Sequence, residues 1–192
     1  MSPMSTKRQA QVCVLLSGGI DSTACIHFYQ TKKLDVRPLF VDYGQPAATA
    51  ERKAALSVSR LYGLSLDVCA TEGVTIPRRG EILGRNLFLV SLALMKAKCD
   101  CNLIALGIHG GTAYYDCAPD FIDTCQRLVQ GYSDGRVQLG APFLTWTNSQ
   151  ILYYCTLNQI PLSSTWSCET SSKHECGKCL SCKDKEQIDA RT

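Results

Sequence analysis

The segment Ser17-Gly18-Gly19-Ile20-Asp21-Ser22 joins a short apolar run, residues 11–16, to a stretch with helical periodicity, residues 21–31. A strand that ends in a glycine-rich turn at a helix N-terminus is typical of an anion site. Glycine lets backbone N–H groups approach phosphate oxygens, and the helix dipole favours negative charge. The residues predicted to hold phosphates are Leu16, Ser17, Gly18, Gly19, Asp21 and Ser22.

Asp21 needs a separate explanation, because a carboxylate beside phosphates repels them unless a cation intervenes. We therefore predict that Asp21 holds Mg²⁺ directly or through water. The alternative is an ordinary tight turn in which Asp21 or Ser22 is the helix N-cap. The segment is neither a Walker A motif nor Gly-x-Gly-x-x-Gly.

The rest of the chain alternates strand-like and helix-like segments, which predicts an α/β fold with a doubly wound, parallel, five-stranded sheet. The helix at residues 87–98 is apolar nearly all round, so we predict that it is buried, with Asn86 as its N-cap. The tyrosine-bearing loop at residues 110–119 is a candidate active-site segment. Predicted strands cover residues 11–16, 36–42, 65–69, 102–107 and 137–140, and predicted helices cover residues 21–31, 49–62, 87–98 and 120–130.

Composition limits the classes of protein that this sequence can represent. The 192 residues, 45% of them hydrophobic, predict a single domain over residues 1–192. A net charge of +3 argues against a dedicated nucleic-acid binder. The apolar residues 12–16 are too few for a signal peptide or a membrane span, so we expect a cytoplasmic protein with no membrane partner.

Four of the twelve cysteines form a pattern, Cys168-x7-Cys176-x2-Cys179-x2-Cys182. Four thiolates in a segment rich in glycine and serine, residues 163–192, predict a structural zinc site. The alternatives are a redox Cys-x-x-Cys, an iron–sulfur cluster or unliganded thiols, and His174 is an alternative ligand. A short helical tail is predicted at residues 184–190. The other cysteines are expected to act as small apolar side chains, namely Cys13, Cys25, Cys69, Cys99, Cys101, Cys117, Cys125 and Cys155.

The glycine-rich turn resembles the PP-loop, Ser-Gly-Gly-x-Asp-Ser, of the ATP-pyrophosphatases. This resemblance implies that the loop holds the β- and γ-phosphates of ATP while a substrate oxygen attacks the α-phosphate. Pyrophosphate then leaves, and the substrate is activated as an adenylate.

With four further motifs, nearly the whole chain resembles the 7-cyano-7-deazaguanine synthase (QueC-like) family. The motifs are Val41-Asp42-Tyr43-Gly44-Gln45, Arg85-Asn86, Tyr114-Tyr115-Asp116-Cys117 and Thr165-Trp166-Ser167-Cys168. The resemblance implies an ATP-dependent ligase with ATP, Mg²⁺ and zinc, 7-carboxy-7-deazaguanine as substrate, and a homodimer. The residues implied to lie near the adenosine are Asp42, Tyr43, Gly44 and Gln45, those implied to grip the substrate are Arg85, Asn86 and Asp116, and the catalytic set is Ser17, Asp21, Ser22, Arg85 and Asp116.

The sequence departs from the family pattern at several positions around the implied site. Ala118 stands where the family has arginine, Asn148 where it has lysine, and Glu169 where it has tyrosine, while Pro46 and Ala47 replace basic residues. Losing positive charge weakens stabilisation of developing negative charge. We therefore expect the reaction to reach the adenylate or amide more readily than the nitrile.

Other activities stay open at this stage. A diverged paralogue could join the deazapurine to another amine, for example on a protein partner in antiviral defence. A PP-loop tRNA-thiolating enzyme would carry sulfur on Cys117 or on the C-terminal cysteines, and a third alternative is a catalytically silent nucleotide-binding subunit.

Overall fold

A computed structural model describes residues 10–74, 76, 81–97, 101–111, 114–170, 173–179 and 181–183. Its strands form one parallel sheet in the order β3-β2-β1-β4-β5. The predicted parallel five-stranded sheet is therefore confirmed. The strands are β1 (Gln11–Leu15), β2 (Asp35–Asp42), β3 (Asp67–Ala70), β4 (Cys101–Leu106) and β5 (Gln138–Gly140).

Helices cover both faces of the sheet, because alternate residues of each strand point to opposite sides. On β2, Phe40 packs in a core with α1, α2 and α5, whereas Leu39 and Val41 pack in a second core with α3 and α4. The sheet is thus doubly wound, as predicted. The helices are α1 (Ile20–Thr31), α2 (Ala48–Leu61), α3 (Arg85–Lys96), α4 (Pro119–Ser133) and α5 (Asn148–Leu157), with 3-10 helices at Tyr115–Cys117 and Leu162–Ser164.

The predictions for α3 are wrong in two respects. Its N-cap is Gly84, with φ of 75°, and Asn86 is the second residue of the helix. The helix is also not buried all round, since Met95 is 83% exposed while Val90 and Ala93 face the core. The physical reason is that a helix lying on a sheet buries only one stripe of its surface, whatever the residues on its other sides.

Helix α5 has a local start signal that periodicity does not show. The Thr147 hydroxyl accepts a hydrogen bond from Gln150 N at 3.3 Å, and the Gln150 side chain accepts one from Thr147 N at 2.8 Å. This reciprocal arrangement is a capping box. It begins the helix next to the C-terminal segment.

Three cysteines outside the C-terminal pattern serve as packing residues in the described part of the chain. Cys25, Cys125 and Cys155 are buried in the two cores. Burial raises the pKa of Cys155 to about 12, so its thiol stays protonated at neutral pH. Cys99 and the tail predicted at residues 184–190 lie outside the described residues.

Among the described residues, none of the helices combines the length and apolar character that a bilayer span requires.

Candidate active site

A cavity of about 700 Å³ lies at the carboxyl ends of β1, β2 and β4. Strand β1 is flanked by β2 on one side and β4 on the other, so the strand order reverses here, where ligands bind in open α/β sheets. The volume suits a small-molecule site. Of the predicted site residues, the cavity is lined by Leu16, Ser17, Gly19, Asp21, Ser22, Tyr43, Gln45, Arg85 and Asn86, whereas Gly18, Asp42, Gly44 and Asp116 do not line it.

The phosphate loop is built around Gly18, which has φ of 84°. A Cβ at this position would lie 2.7 Å from Ala55 N and 2.7 Å from Glu51 O, so the loop packs directly on the backbone of α2. Only glycine combines this φ with so close an approach. Gly18 thus shapes the loop from behind, without lining the cavity.

Hydroxyl groups fix the remainder of the loop. The Ser17 and Ser22 hydroxyls are 3.1 Å apart, and Ser17 Oγ also accepts a hydrogen bond from Gly19 N at 3.3 Å. Ser22 Oγ donates to Gly19 O at 3.0 Å. The two hydroxyls therefore stand side by side on the cavity floor.

The N-terminus of α1 opens toward this floor. Its N-cap is Gly19, and no side chain of the described residues caps it, so the alternative with Asp21 or Ser22 as N-cap is wrong. The backbone N–H groups of the first turn thus have no side-chain acceptor from a cap. Open N–H groups and the helix dipole are typical of an anion site, so this helix start is compatible with the predicted phosphate site.

The turn after β2 is held by its own polar side chains. Asp42 Oδ1 accepts a hydrogen bond from Gly44 N at 3.1 Å, and Gln45 Oε1 accepts one from Tyr43 N at 2.9 Å. Gln45 Nε2 in turn donates to Glu51 Oε2 at 2.8 Å. Asp42 and Gln45 therefore shape the wall on which Tyr43 is displayed.

Arg85 is the one Lys or Arg side chain of the cavity wall within the described ranges. It lies near Tyr43 and Glu51, where its charge lowers both pKa values, although burial is the larger effect and raises the pKa of each group. Glu169 also lines the cavity, and its carboxylate accepts a hydrogen bond from Ser181 Oγ at 2.6 Å. The cavity lining thus contains one guanidinium, that of Arg85, and three carboxylates, those of Asp21, Glu51 and Glu169.

Asp116 is placed differently from the other predicted catalytic residues. Its side chain is 4% exposed, and its Oδ2 accepts a hydrogen bond from Asn86 N at 3.2 Å. Asn86 Nδ2 also donates a hydrogen bond, to the backbone oxygen of Asp116, at 2.9 Å. The pair ties the first turn of α3 to the 3-10 helix Tyr115–Cys117, while the neighbouring Cys117 lines the cavity.

The four C-terminal cysteines converge on one point, as predicted. Their sulfur atoms all lie within 4.8 Å of one another. A tetrahedral zinc with Zn–S bonds of about 2.3 Å requires sulfur atoms about 3.8 Å apart, so the cluster fits the ion after a small contraction. His174 is not part of the cluster, which comprises Cys168, Cys176, Cys179 and Cys182.

The pKa values of the cysteine thiols also indicate that the cluster binds a cation. Hydrogen bonds from the Thr170 hydroxyl and from the N–H groups of Lys178 and Cys179 lower the pKa of Cys176 to about 5. Burial and the neighbouring thiols raise the pKa of Cys182 to about 12. Four sulfur atoms this close cannot all ionise unless a metal compensates their charge.

The metal cluster and the phosphate loop are connected through Trp166. Its backbone N–H donates to Gly18 O at 2.9 Å, and its indole Nε1 donates to Cys168 O at 2.8 Å. One residue therefore contacts both the backbone of the phosphate loop and that of a cysteine in the cluster.

Three residues that matter for this geometry are absent from the sequence-based site. Glu51 and His109 line the cavity, and Trp166, which the family motif includes without a role, anchors the loop. An isolated glutamate in a helix or a histidine in a loop carries no local signal. Their roles depend on which segments meet in space.

The parallel sheet, the glycine turn after β1 and the open N-terminus of α1 define a PP-loop nucleotide-binding protein. Solved structures share this fold. The U34-tRNA thiolase NcsA from Methanococcus maripaludis with its [4Fe-4S] cluster matches with a TM-score of 0.52 and 15% identity over 96% of this chain and 66% of that chain. NMN synthetase from Francisella tularensis matches with a TM-score of 0.51 and 14% identity over 95% of this chain and 77% of that chain.

Sequence similarity identifies the family within this fold. The family model of queuosine biosynthesis protein QueC matches residues 11–76 and 69–188, so the chain belongs to the QueC family. The 7-cyano-7-deazaguanine synthase of Prochlorococcus marinus strain MIT 9312 is 29% identical over 93% of this chain and 92% of its own length. That of strain NATL2A is 32% identical over 90% of each. The predicted family and enzyme class, an ATP-dependent ligase, are confirmed.

Proposed function

We propose that this enzyme uses ATP to activate the carboxylate of 7-carboxy-7-deazaguanine and then forms an amide with ammonia. A carboxylate oxygen attacks the α-phosphate, and pyrophosphate leaves. Ammonia then attacks the carbonyl carbon and loses a proton as AMP leaves. The names of the relatives support the deazaguanine substrate class.

The observation that carries this proposal is the complete phosphate loop on the floor of a ligand-sized cavity. We assign the phosphates to the first turn of α1 and to the Ser17 and Ser22 hydroxyls. Asp21 is assigned to Mg²⁺, which would neutralise the charge of the departing pyrophosphate. Arg85, on the wall above, is assigned to the substrate carboxylate, because a guanidinium matches that group in charge and geometry.

We further propose that the amide accumulates. Making the nitrile needs a second ATP to activate the amide oxygen, which is neutral and a weak nucleophile, so this step depends more on positioning and donors around the substrate. Of the departures from the family pattern, Asn148 and Glu169 line the cavity, whereas Ala118 does not. Asn148 and Glu169 are therefore the substitutions that support this part of the proposal.

Product analysis tests both parts of this function. The protein is supplied with ATP, Mg²⁺, 7-carboxy-7-deazaguanine and excess ammonia, and the products are followed by mass spectrometry over time. We expect AMP, pyrophosphate and amide. Rapid accumulation of nitrile as the main product would contradict the second part, and absence of AMP would contradict the whole.

Two aspartate variants control for the phosphate site. Asp21→Ala is expected to abolish Mg²⁺-dependent AMP formation while leaving the fold intact. Asp123→Ala removes an exposed carboxylate from α4, away from the cavity, and should leave the rate unchanged. Equal AMP formation by both variants would show that Asp21 has another role.

A second candidate acceptor, an amine larger than ammonia, is favoured by Glu169. Its carboxylate lies on the cavity wall and attracts protonated amines. Glu169→Gln keeps the shape of the side chain and removes its charge. The substitution should therefore lower kcat/KM more for a larger amine than for ammonia. Equal losses would exclude this role, and an amine on a protein partner of a defence system stays a prediction.

A further inference from the structure

His109 lies immediately beyond β4, at the edge of the phosphate site. The residue is 7% exposed, and it lines the cavity. The ring nitrogen Nε2 is 3.7 Å from Oδ2 of Asp21. A buried imidazole that faces the carboxylate assigned to Mg²⁺ is placed to influence that carboxylate.

The backbone fixes which nitrogen of His109 carries the proton. Gly111 N donates a hydrogen bond to His109 Nδ1 at 3.0 Å, so Nδ1 presents its lone pair. A neutral imidazole then carries its proton on Nε2. The N–H bond of the ring is therefore on the side of Asp21.

Two glycines permit this arrangement. A Cβ on Gly111 would lie 2.8 Å from His109 Nδ1, so a larger residue would displace the ring. A Cβ on Gly107 would lie 2.6 Å from the backbone oxygen of Asp21, so only glycine lets the end of β4 come this close to α1. The approach of His109 to Asp21 is thus built into the backbone on both sides.

We propose that His109 is a positioning residue that orients the Asp21 carboxylate for Mg²⁺. Its Nε2–H donates to one carboxylate oxygen and leaves the other oxygen to the cation. The present separation is about 1 Å longer than a hydrogen bond, and such contacts commonly tighten when the ligand binds. This inference rests on the proposed role of Asp21 in holding Mg²⁺.

Two substitutions of His109 distinguish the roles of its two ring nitrogens. Glutamine places an amide N–H close to the position of Nε2, so His109→Gln keeps the donor toward Asp21. Asparagine has a shorter side chain that can still accept from Gly111 N, so His109→Asn loses that donor. Gly111→Ala keeps the histidine at position 109, but its added methyl group displaces the imidazole ring.

The test is the affinity for α,β-methylene-ATP, measured by isothermal titration calorimetry with Mg²⁺ and again without Mg²⁺, in buffer freed of divalent cations beforehand so that no chelator removes the zinc. The quantity compared is the gain in affinity that Mg²⁺ provides. Removing a group that orients a metal ligand commonly costs about 10-fold to 100-fold in metal affinity. We expect His109→Asn and Gly111→Ala to lose roughly 10-fold of the Mg²⁺-dependent gain, His109→Gln to retain most of it, and all proteins to bind alike without Mg²⁺.

The Asp21→Asn background shows whether His109 acts through Asp21. In that background His109→Asn should have no further effect, because the carboxylate that it orients is gone. An equal loss without Mg²⁺, or a full loss in the Asp21→Asn background, would overturn the proposal and indicate direct contact with phosphate. Equal affinities of His109→Asn and His109→Gln would also overturn it.

These measurements do not depend on turnover. If the wild-type protein forms no AMP from 7-carboxy-7-deazaguanine, the proposed function fails, while the comparison of Mg²⁺-dependent affinities still decides the role of His109.

Discussion

Gly18 is the residue at which one added methyl group should do most harm to the site. Alanine would place its Cβ 2.7 Å from two backbone atoms of α2, in addition to the cost of φ at 84°. We expect Gly18→Ala to lower stability by about 2–4 kcal/mol and to abolish ATP binding. Thermal denaturation and calorimetric titration with ATP measure the two effects.

Gly63→Ala is the matched control for Gly18. Gly63 also has positive φ, 66°, but nothing lies within 4 Å of its added Cβ. We therefore expect a cost of about 1 kcal/mol and normal ATP binding. If both variants bind ATP normally, the close packing of the loop on α2 is not required for the nucleotide site.

Glu51 gives a prediction for the pH dependence of stability. Burial raises the pKa of its carboxyl, and the hydrogen bond from Gln45 only partly opposes this effect. Because the pKa is higher in the folded state, the carboxyl favours folding below its unfolded pKa, and this contribution is lost as pH rises through the folded pKa. Glu51→Gln should therefore raise Tm by a few degrees at neutral pH and bring little gain near pH 4.

The measurement is Tm of both proteins between pH 4 and pH 8. The exposed Glu72→Gln is a suitable control because its side chain is solvated in both states. An advantage of Glu51→Gln that grows toward low pH would have the wrong sign and contradict the explanation.

At the level of elements, the C-terminal segment depends on its metal. We expect one zinc per chain, and Cys176→Ser should lose the ion together with stability, because four clustered sulfur atoms replace a hydrophobic core there. Elemental analysis and thermal denaturation provide the readouts. Cys69→Ser alters a half-buried thiol outside the cluster and should retain the zinc. Iron with a visible charge-transfer band would contradict the zinc assignment.

The strands could be predicted from sequence to within about two residues, because β-branched apolar runs and flanking turns are local signals. Helix α3 could not be predicted in full. Its composition does not show that Val90 and Ala93 are the apolar residues buried against the sheet while Met95 is exposed, and its true N-cap, Gly84, is defined by a backbone angle. Helix α5 carries a local signal in Thr147 and Gln150, which a search for capping boxes would find.

Some residues of the candidate site could likewise be predicted from sequence, and others could not. Ser17 to Ser22 and the four cysteines are close in sequence, so their spacing reveals them. His109 and Trp166 reach the phosphate loop only through the path of the folded chain, and no local pattern marks them. Asp116 matches a family motif, yet its side chain supports α3 and does not line the cavity.

Across the whole molecule, the metal and nucleotide sites should be coupled. Trp166 N donates to Gly18 O, and the Trp166 side chain donates to Cys168 O, so order in the cluster supports the loop. Removing zinc by chelation should weaken ATP binding by about 10-fold, and bound ATP should slow zinc release, since coupling between two sites is reciprocal. Unchanged affinity in the zinc-free protein, with its sheet intact by circular dichroism, would show that the sites are independent.

The hydrogen bond from Trp166 to Gly18 also bears on how the protein is made. The ribosome delivers the chain from its N-terminus, so Gly18 emerges long before Trp166. During translation the sheet can begin to form while the nucleotide pocket still lacks its last support. A nascent chain released before residue 166 would therefore carry a recognisable phosphate loop that binds ATP poorly, and the pocket becomes competent only after Trp166 and the cysteine cluster have been synthesised.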